Sequence, residues 1–216
     1  MTTQTTHHKE IKVWDIFVRI FHWTLVLSFI IVYFTGEEEN LWHIYLGYYI
    51  GFLIIFRLIW GFVGTQHARF KDFVCSPSVV IDYIKSMFSG TPKHYLGHNP
   101  AGGYMVLALL FMLTLTTLSG LKVYGVEGYG PLAGNLDISL ISSAMADDDD
   151  DDEKYEHGKH EGDEDEEEFW EEIHEVSANL TVFLILLHIL GVIVSGKIHD
   201  ENLVRAMITG KKEEKH

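Results

Sequence analysis

Cysteine is nearly absent: Cys75 is the single one in 216 residues. One thiol excludes an internal disulfide framework and a four-thiolate iron–sulfur cluster, and without a CxxCH motif there is no attachment point for covalent haem. The N-terminal stretch MTTQTTHHKEIKVWD lacks an apolar core and a small-residue cleavage pattern, so the first apolar run is expected to stay on as a signal anchor. Charge is almost missing from four long runs, roughly Ile16 to Thr35, Leu41 to Gly64, Tyr104 to Leu121 and Val176 to Ser195. Each is long enough for about 30 Å of hydrocarbon, which makes this an integral membrane protein. Carboxylates are absent from these runs, and that argues against a route for divalent cations.

What is abundant is acid outside the runs. The net charge of -15 excludes nucleic acid as a partner, yet it is unevenly placed. Between Asp147 and Glu172 acids dominate, and such a segment is expected to stay disordered when free. Basic residues gather instead near the N-terminus, between the second and third runs, and after the fourth. The positive-inside rule then puts both termini in the cytoplasm and the acidic loop, about 140–172, outside. The expected architecture is all-α: a bundle of four transmembrane helices at about 16–35, 41–64, 104–121 and 173–196. A cytoplasmic tail, 1–15, precedes it and another, 197–216, follows. Within the cytoplasmic loop, SPSVVIDYIKSMFSG places Val79, Val80, Tyr83, Ile84 and Met87 at helical spacing, as for a short helix on the membrane surface.

Thirteen histidines are present. His7, His8, His67, His94, His98, His199 and His216 lie in polar segments and read as solvent-exposed; His157 and His160 lie in the acid run and suit weak binding of a divalent ion. The other four belong to apolar helices. His174 and His188 are fourteen residues apart, just under four helical turns, so they share a face and stand about 21 Å apart along it. His22, about eight residues into the first run, matches the depth of His188, and His43 shares the outer level with His174. Ionisable groups inside a membrane mark function by default. Two imidazoles per level, with no thiolate or carboxylate, do not suit zinc, which takes three or four protein ligands. They do suit the two axial positions of a haem iron, and glycines such as Gly47 leave room for a flat ring. The third run has no histidine; its Thr114, Thr116, Thr117 and Ser119 read as helix-packing contacts.

The segments VWDIFVRIFHW, WHIYLGYYIGFLIIFRLIWGFVG, GHNPAGGYM, IHEVSANLTVFLILLHILGV and ENLVRAMITGKK resemble the bacterial four-helix di-haem cytochrome b family, which includes the cytochrome b subunit of membrane-bound nickel-iron hydrogenases. The resemblance covers nearly the whole chain apart from the acidic insert. It implies a multi-pass protein of the bacterial inner membrane holding two non-covalent b haems on His22, His43, His174 and His188. It further implies electron exchange between a membrane quinone and a periplasmic redox partner, a c-type cytochrome or a hydrogenase. On that reading the chain is an electron-transfer subunit of a respiratory oxidoreductase rather than a stand-alone enzyme. Arg19 and Arg57 would be candidates for holding haem propionates or assisting protonation, and the acidic insert would steer a basic partner. Two alternatives stand beside it. One is a quinone-linked oxidase acting on a small oxidant such as superoxide at the outer face; the other, of a different class, is a metal-ion transporter.

Overall fold

In the computed structural model the described residues are 10–36, 40–90, 92–132 and 161–213. In chain order they form β1 (Glu10–Lys12), α1 (Ile16–Phe34), α2 (Leu41–Val63), a 3-10 turn (Gln66–Ala68), α3 (Phe70–Phe73), α4 (Pro77–Phe88), α5 (Pro100–Val126), α6 (Glu161–His199), α7 (Leu203–Thr209) and β2 (Lys211–Glu213). Helices α1, α2, α5 and the Asp165–His199 part of α6 are long and apolar enough to cross a membrane. They run alternately up and down, so one end of the bundle carries the described ends of the chain and is called here the termini end. The other is the far end.

Local chemistry sets where each helix starts. Asp15 caps α1 by accepting from the Val18 amide, Asn40 caps α2 through the Trp42 amide, and Asn99 caps α5 through the Gly102 amide. Pro100 follows in the first helical position, where its missing N–H costs nothing. This cap and proline start α5 four residues before the apolar run expected at 104, and the helix continues to Val126, before the glycine turn at Gly128 and Gly130. Helix α6 begins at Glu161, well ahead of the expected 173. Glutamate is a good helix former, and acids in the first turns complement the positive end of the helix dipole, so the last stretch of the acid run is helical rather than disordered. The rest of that run, with His157 and His160, lies outside the described residues.

The outside of the bundle is apolar. Leu27, Phe52 and Leu186 are each more than 60% exposed, at 62%, 62% and 61%. Such a surface suits lipid and would not stay dissolved in water. Inside, α1, α2 and α5 meet through Phe21, Leu53 and Leu110 and, one layer on, through Ile50, Ile54 and Leu113. Helices α5 and α6 make the longest contact, and its centre is small and polar. Ser119, Ser177 and Thr181 are fully buried there, and the Thr116 hydroxyl lies 2.9 Å from that of Ser177. In a membrane, helices gain from close backbone approach and hydroxyl bonds rather than from the hydrophobic effect.

The termini end is closed by long-range contacts. β1 pairs antiparallel with β2, Ile11 opposite Lys212, and the Val13 and Trp14 amides donate to the Gly210 carbonyl. Gly210 has φ 82°, the left-handed conformation that ends α7. Val13, Trp14, Val18, Ala68 and Ala206 form the cluster beneath this strap. Lys212 and His94 both bind Glu201, at 3.1 and 2.7 Å, tying the loop before α5 to the α6–α7 turn. On α4, Val80 and Tyr83 are buried while Val79, Ile81, Ile84 and Phe88 remain exposed.

Candidate functional site: two levels of imidazoles

At the far end, His43 in the first turn of α2 faces His174 of α6. Their ring centres are 6.0 Å apart and the ring planes are twisted by 70°. His43 Nδ1 lies 3.1 Å from the Val32 carbonyl at the end of α1, and His174 Nδ1 lies 2.8 Å from the Thr116 carbonyl of α5. A carbonyl only accepts, so each Nδ1 carries the proton and each Nε2 keeps its lone pair. Ser119 supports the second ring, its hydroxyl 3.3 Å from His174 Nδ1. Holding the outer nitrogen of a histidine by a carbonyl is how a metal-binding imidazole is oriented and made more basic.

With a metal–nitrogen bond of about 2 Å and about 1 Å from nitrogen to ring centre, two imidazoles on one iron place their centres about 6 Å apart. The 6.0 Å between ring centres matches that separation. The rings border a small cleft of about 90 Å³, lined also by Phe29, Gly47, Tyr48 and Tyr124. Gly47 is open, with nothing within 4 Å of where a side chain would begin, whereas a side chain at Gly120 would come within 2.8 Å of His174 Cε1. Gly120 is therefore what lets α6 bring His174 against α5, and it was not singled out from the sequence. The donor set, two imidazoles with Nδ1 held by carbonyls, and the open side at Gly47 fit haem ligation at this level.

At the termini end, His22 of α1 and His188 of α6 are both half-buried. They are within electrostatic reach of each other, without the ring-to-ring approach of the far-end pair. The His22 ring stands edge-on to Trp23, and its Nδ1 is buried with no hydrogen-bond partner. A third imidazole shares this neighbourhood. His98, read from its polar surroundings as solvent-exposed, is packed between Trp14 and Phe73 at 4.6 and 4.7 Å, and its Nδ1 is buried and unpartnered. Burial first, then the charges of Arg57 and Lys212, push His98 down to about 3, so it is neutral at ordinary pH. Of the other polar-segment histidines, His67 pairs with Asp72 at 2.8 Å and His94 with Glu201, and the His199 ring stands edge-on to that of His94 at 5.3 Å. Arg57 is only 3% exposed, under Phe70, with Nη1 unpartnered. Arg19 reaches the Thr209 carbonyl at 3.2 Å. Among the described residues no group of three or more histidine, cysteine or acid side chains converges as a metal site.

A bundle of four membrane-length helices with imidazoles facing one another across its interior defines a class, the helical membrane cytochromes with non-covalent haem. The chain belongs to the prokaryotic cytochrome b561 family, whose model matches residues 13–210. It is similar to the probable Ni/Fe-hydrogenase B-type cytochrome subunit of Azotobacter vinelandii, 26% identical over 154 residues, which are 56% of this chain and 61% of that protein. The chain thus spans about three-fifths of the length of the curated relative it matches. No solved structure matches it. The chain is a multi-pass membrane protein of the b-type cytochromes, and haem b is the cofactor its family implies.

Proposed function

We propose that the chain carries electrons across the bacterial inner membrane on two b haems, between the membrane quinone pool and a redox protein on the periplasmic side. His43 and His174 hold the outer haem; His22 and His188 hold the inner one. The observation that carries this reading is the facing pair His43 and His174, each with Nδ1 held by a backbone carbonyl and Nε2 free to bind metal. Haem, when bound, supplies a one-electron iron couple. The protein's part is to fix the imidazoles, to exclude water with its apolar helix walls, and to separate the two levels by the fourteen residues between His174 and His188, about 21 Å.

The orientation we propose has the termini end in the cytoplasm, because Lys12, Arg19, Arg57, Arg69, Lys85, Lys197 and Arg205 collect there. The redox partner then docks at the far end, where α6 begins in its acid-rich turns. Its class is a hydrogenase, the assembly named for the relative, or a basic c-type cytochrome drawn by those acids.

Single histidine variants test the assignment. In the purified full chain, His43→Ala or His174→Ala should each abolish one b-type component of the reduced spectrum, the same one in both. His22→Ala and His188→Ala should each abolish the other, while His98→Ala retains both. Loss of the inner component in His98→Ala with its retention in His22→Ala would contradict the inner pair; spectra unchanged in His174→Ala would contradict the reading itself.

A further inference from the structure

Where α5 passes the His174 ring at Gly120, six residues of helix remain, about 9 Å at helical rise, before it ends at Val126. There the chain turns back. Gly128 and Gly130 have positive φ, 87° and 75°, and the Tyr129 amide donates to the Tyr124 carbonyl at 2.9 Å. This turn lays the Tyr129 ring on that of Tyr124, with centres 5.4 Å apart and planes 25° from parallel. A side chain at Gly130 would begin 2.7 Å from the Tyr48 hydroxyl and 2.8 Å from Tyr124 Cδ1, so the turn also closes on α2. Tyr48 and Tyr124 border the imidazole cleft. A run of contacts thus leads from the cleft through Tyr124 to Tyr129, which is 60% exposed, as is Leu132 in part.

Helix α6 rises past the same level beside α5. Its turns before His174 carry Asp165, Glu166, Glu168, Glu171 and Glu172, all exposed. Lys122 of α5 lies 5.8 Å over the Trp170 ring of α6, so the tyrosine turn and the acid turns belong to one end face. An exposed aromatic ring beside a charged rim has the make-up of a protein contact: the ring loses little freedom on burial, and the charges steer the encounter. A mere anchor in the bilayer interface would need the ring but not its stack onto the cleft.

We propose that Tyr129, with Leu132, is the contact point for a soluble c-type cytochrome of basic surface, whose rim meets the acids of α6. The inference rests on the outer site read above and names the partner's place on it. In the direction tested below, one electron crosses, the chain is oxidised, the ferric cytochrome becomes ferrous, and no bond is made or broken. Tyr129 and Tyr124 are positioning residues: they set how near the cytochrome comes to the cleft, and neither ring is oxidised.

The test uses the purified, haem-loaded full chain in detergent and a basic soluble c-type cytochrome. Calorimetric titration with the ferric cytochrome reads affinity; stopped-flow mixing of it with the reduced chain, freed of reductant, reads transfer. Tyr129→Ala should weaken binding by about tenfold at low and high salt alike and slow transfer in proportion, whereas Tyr129→Phe keeps both. Glu168→Gln, Glu171→Gln and Glu172→Gln combined should weaken binding at low salt only. The b-type spectrum should be the same in every variant. Wild-type affinity and transfer in Tyr129→Ala overturn the inference alone. So does a wild type that shows its His43-dependent component yet neither binds nor reduces the cytochrome. Absence of that component in the wild type overturns the outer site and the inference together.

Discussion

At the scale of single residues, Asp15 shows how one side chain joins the termini end to the membrane helices. Its carboxylate caps α1 and accepts from Trp60 of α2 and from Thr65 beyond it. Burial alone would raise its pKa; the bonds from Thr65, Val18 and Trp60 outweigh that, and the carboxyl sits below its ordinary value. A depressed carboxylate contributes stability that is complete above its unfolded pKa, about 4, and is lost as pH falls through the folded value. Replacing Asp15 with asparagine should cost about 2 kcal/mol at neutral pH, from a weakened cap and two weakened bonds to a former charge. Thermal unfolding in detergent at a series of pH values checks this. The gap between wild type and Asp15→Asn should hold from pH 8 to 5 and close below about pH 4, whereas a gap unchanged down to pH 3 would contradict it. Glu10 and Glu201 are also depressed, but they are common to both proteins and cancel in the difference.

At the scale of elements, α6 is the rule against which everything else is measured, because one unbroken helix carries a histidine for each level. Its register is held by Ser177 and Thr181 against α5, by Gly120 admitting the His174 ring, and by Glu201 just past its termini end. One alanine inserted between Val182 and Phe183 turns the following part of the helix by about 100° relative to the part before it. One level must then lose its imidazole. The reduced spectrum of the insertion variant should retain one b-type component and lose the other; both surviving would mean that the two histidines are not tied through a rigid helix. Much at this scale is legible in the sequence, since hydrophobic runs of membrane length form helices whatever their neighbours, and of the hydroxyls of the third run Thr116 and Ser119 meet α6 while Thr114 bonds back to Leu110 in its own helix. The exact ends are less so. Asn99 with Pro100 is a start signal lying before the apolar run, and the helical acids from Glu161 answer to propensity and the helix dipole, which hydropathy does not register.

At the scale of the whole molecule, what the sequence conceals is contact between distant segments. His98 sits among the polar and flexible residues GHNPAGG, so local composition points outward. Trp14, 84 positions earlier, and Phe73 cover it instead. Strands of three residues near the two ends of the chain are too short to show a period, yet they close the termini end together with Gly210 and the Trp14 cluster. The histidines were legible because an ionisable group in an apolar run stands out, and a helix converts their spacing directly into depth. Which side chains hold their outer nitrogens was not, for Val32 and Thr116 act through backbone carbonyls that every residue possesses. The central claim is that imidazoles at two depths hold two haems in one bundle. A potentiometric titration of the purified full chain, followed by absorption in the Soret and α bands, tests it most directly. Two resolved one-electron b-type components are predicted; a single component, or no haem absorption at all, would contradict the account.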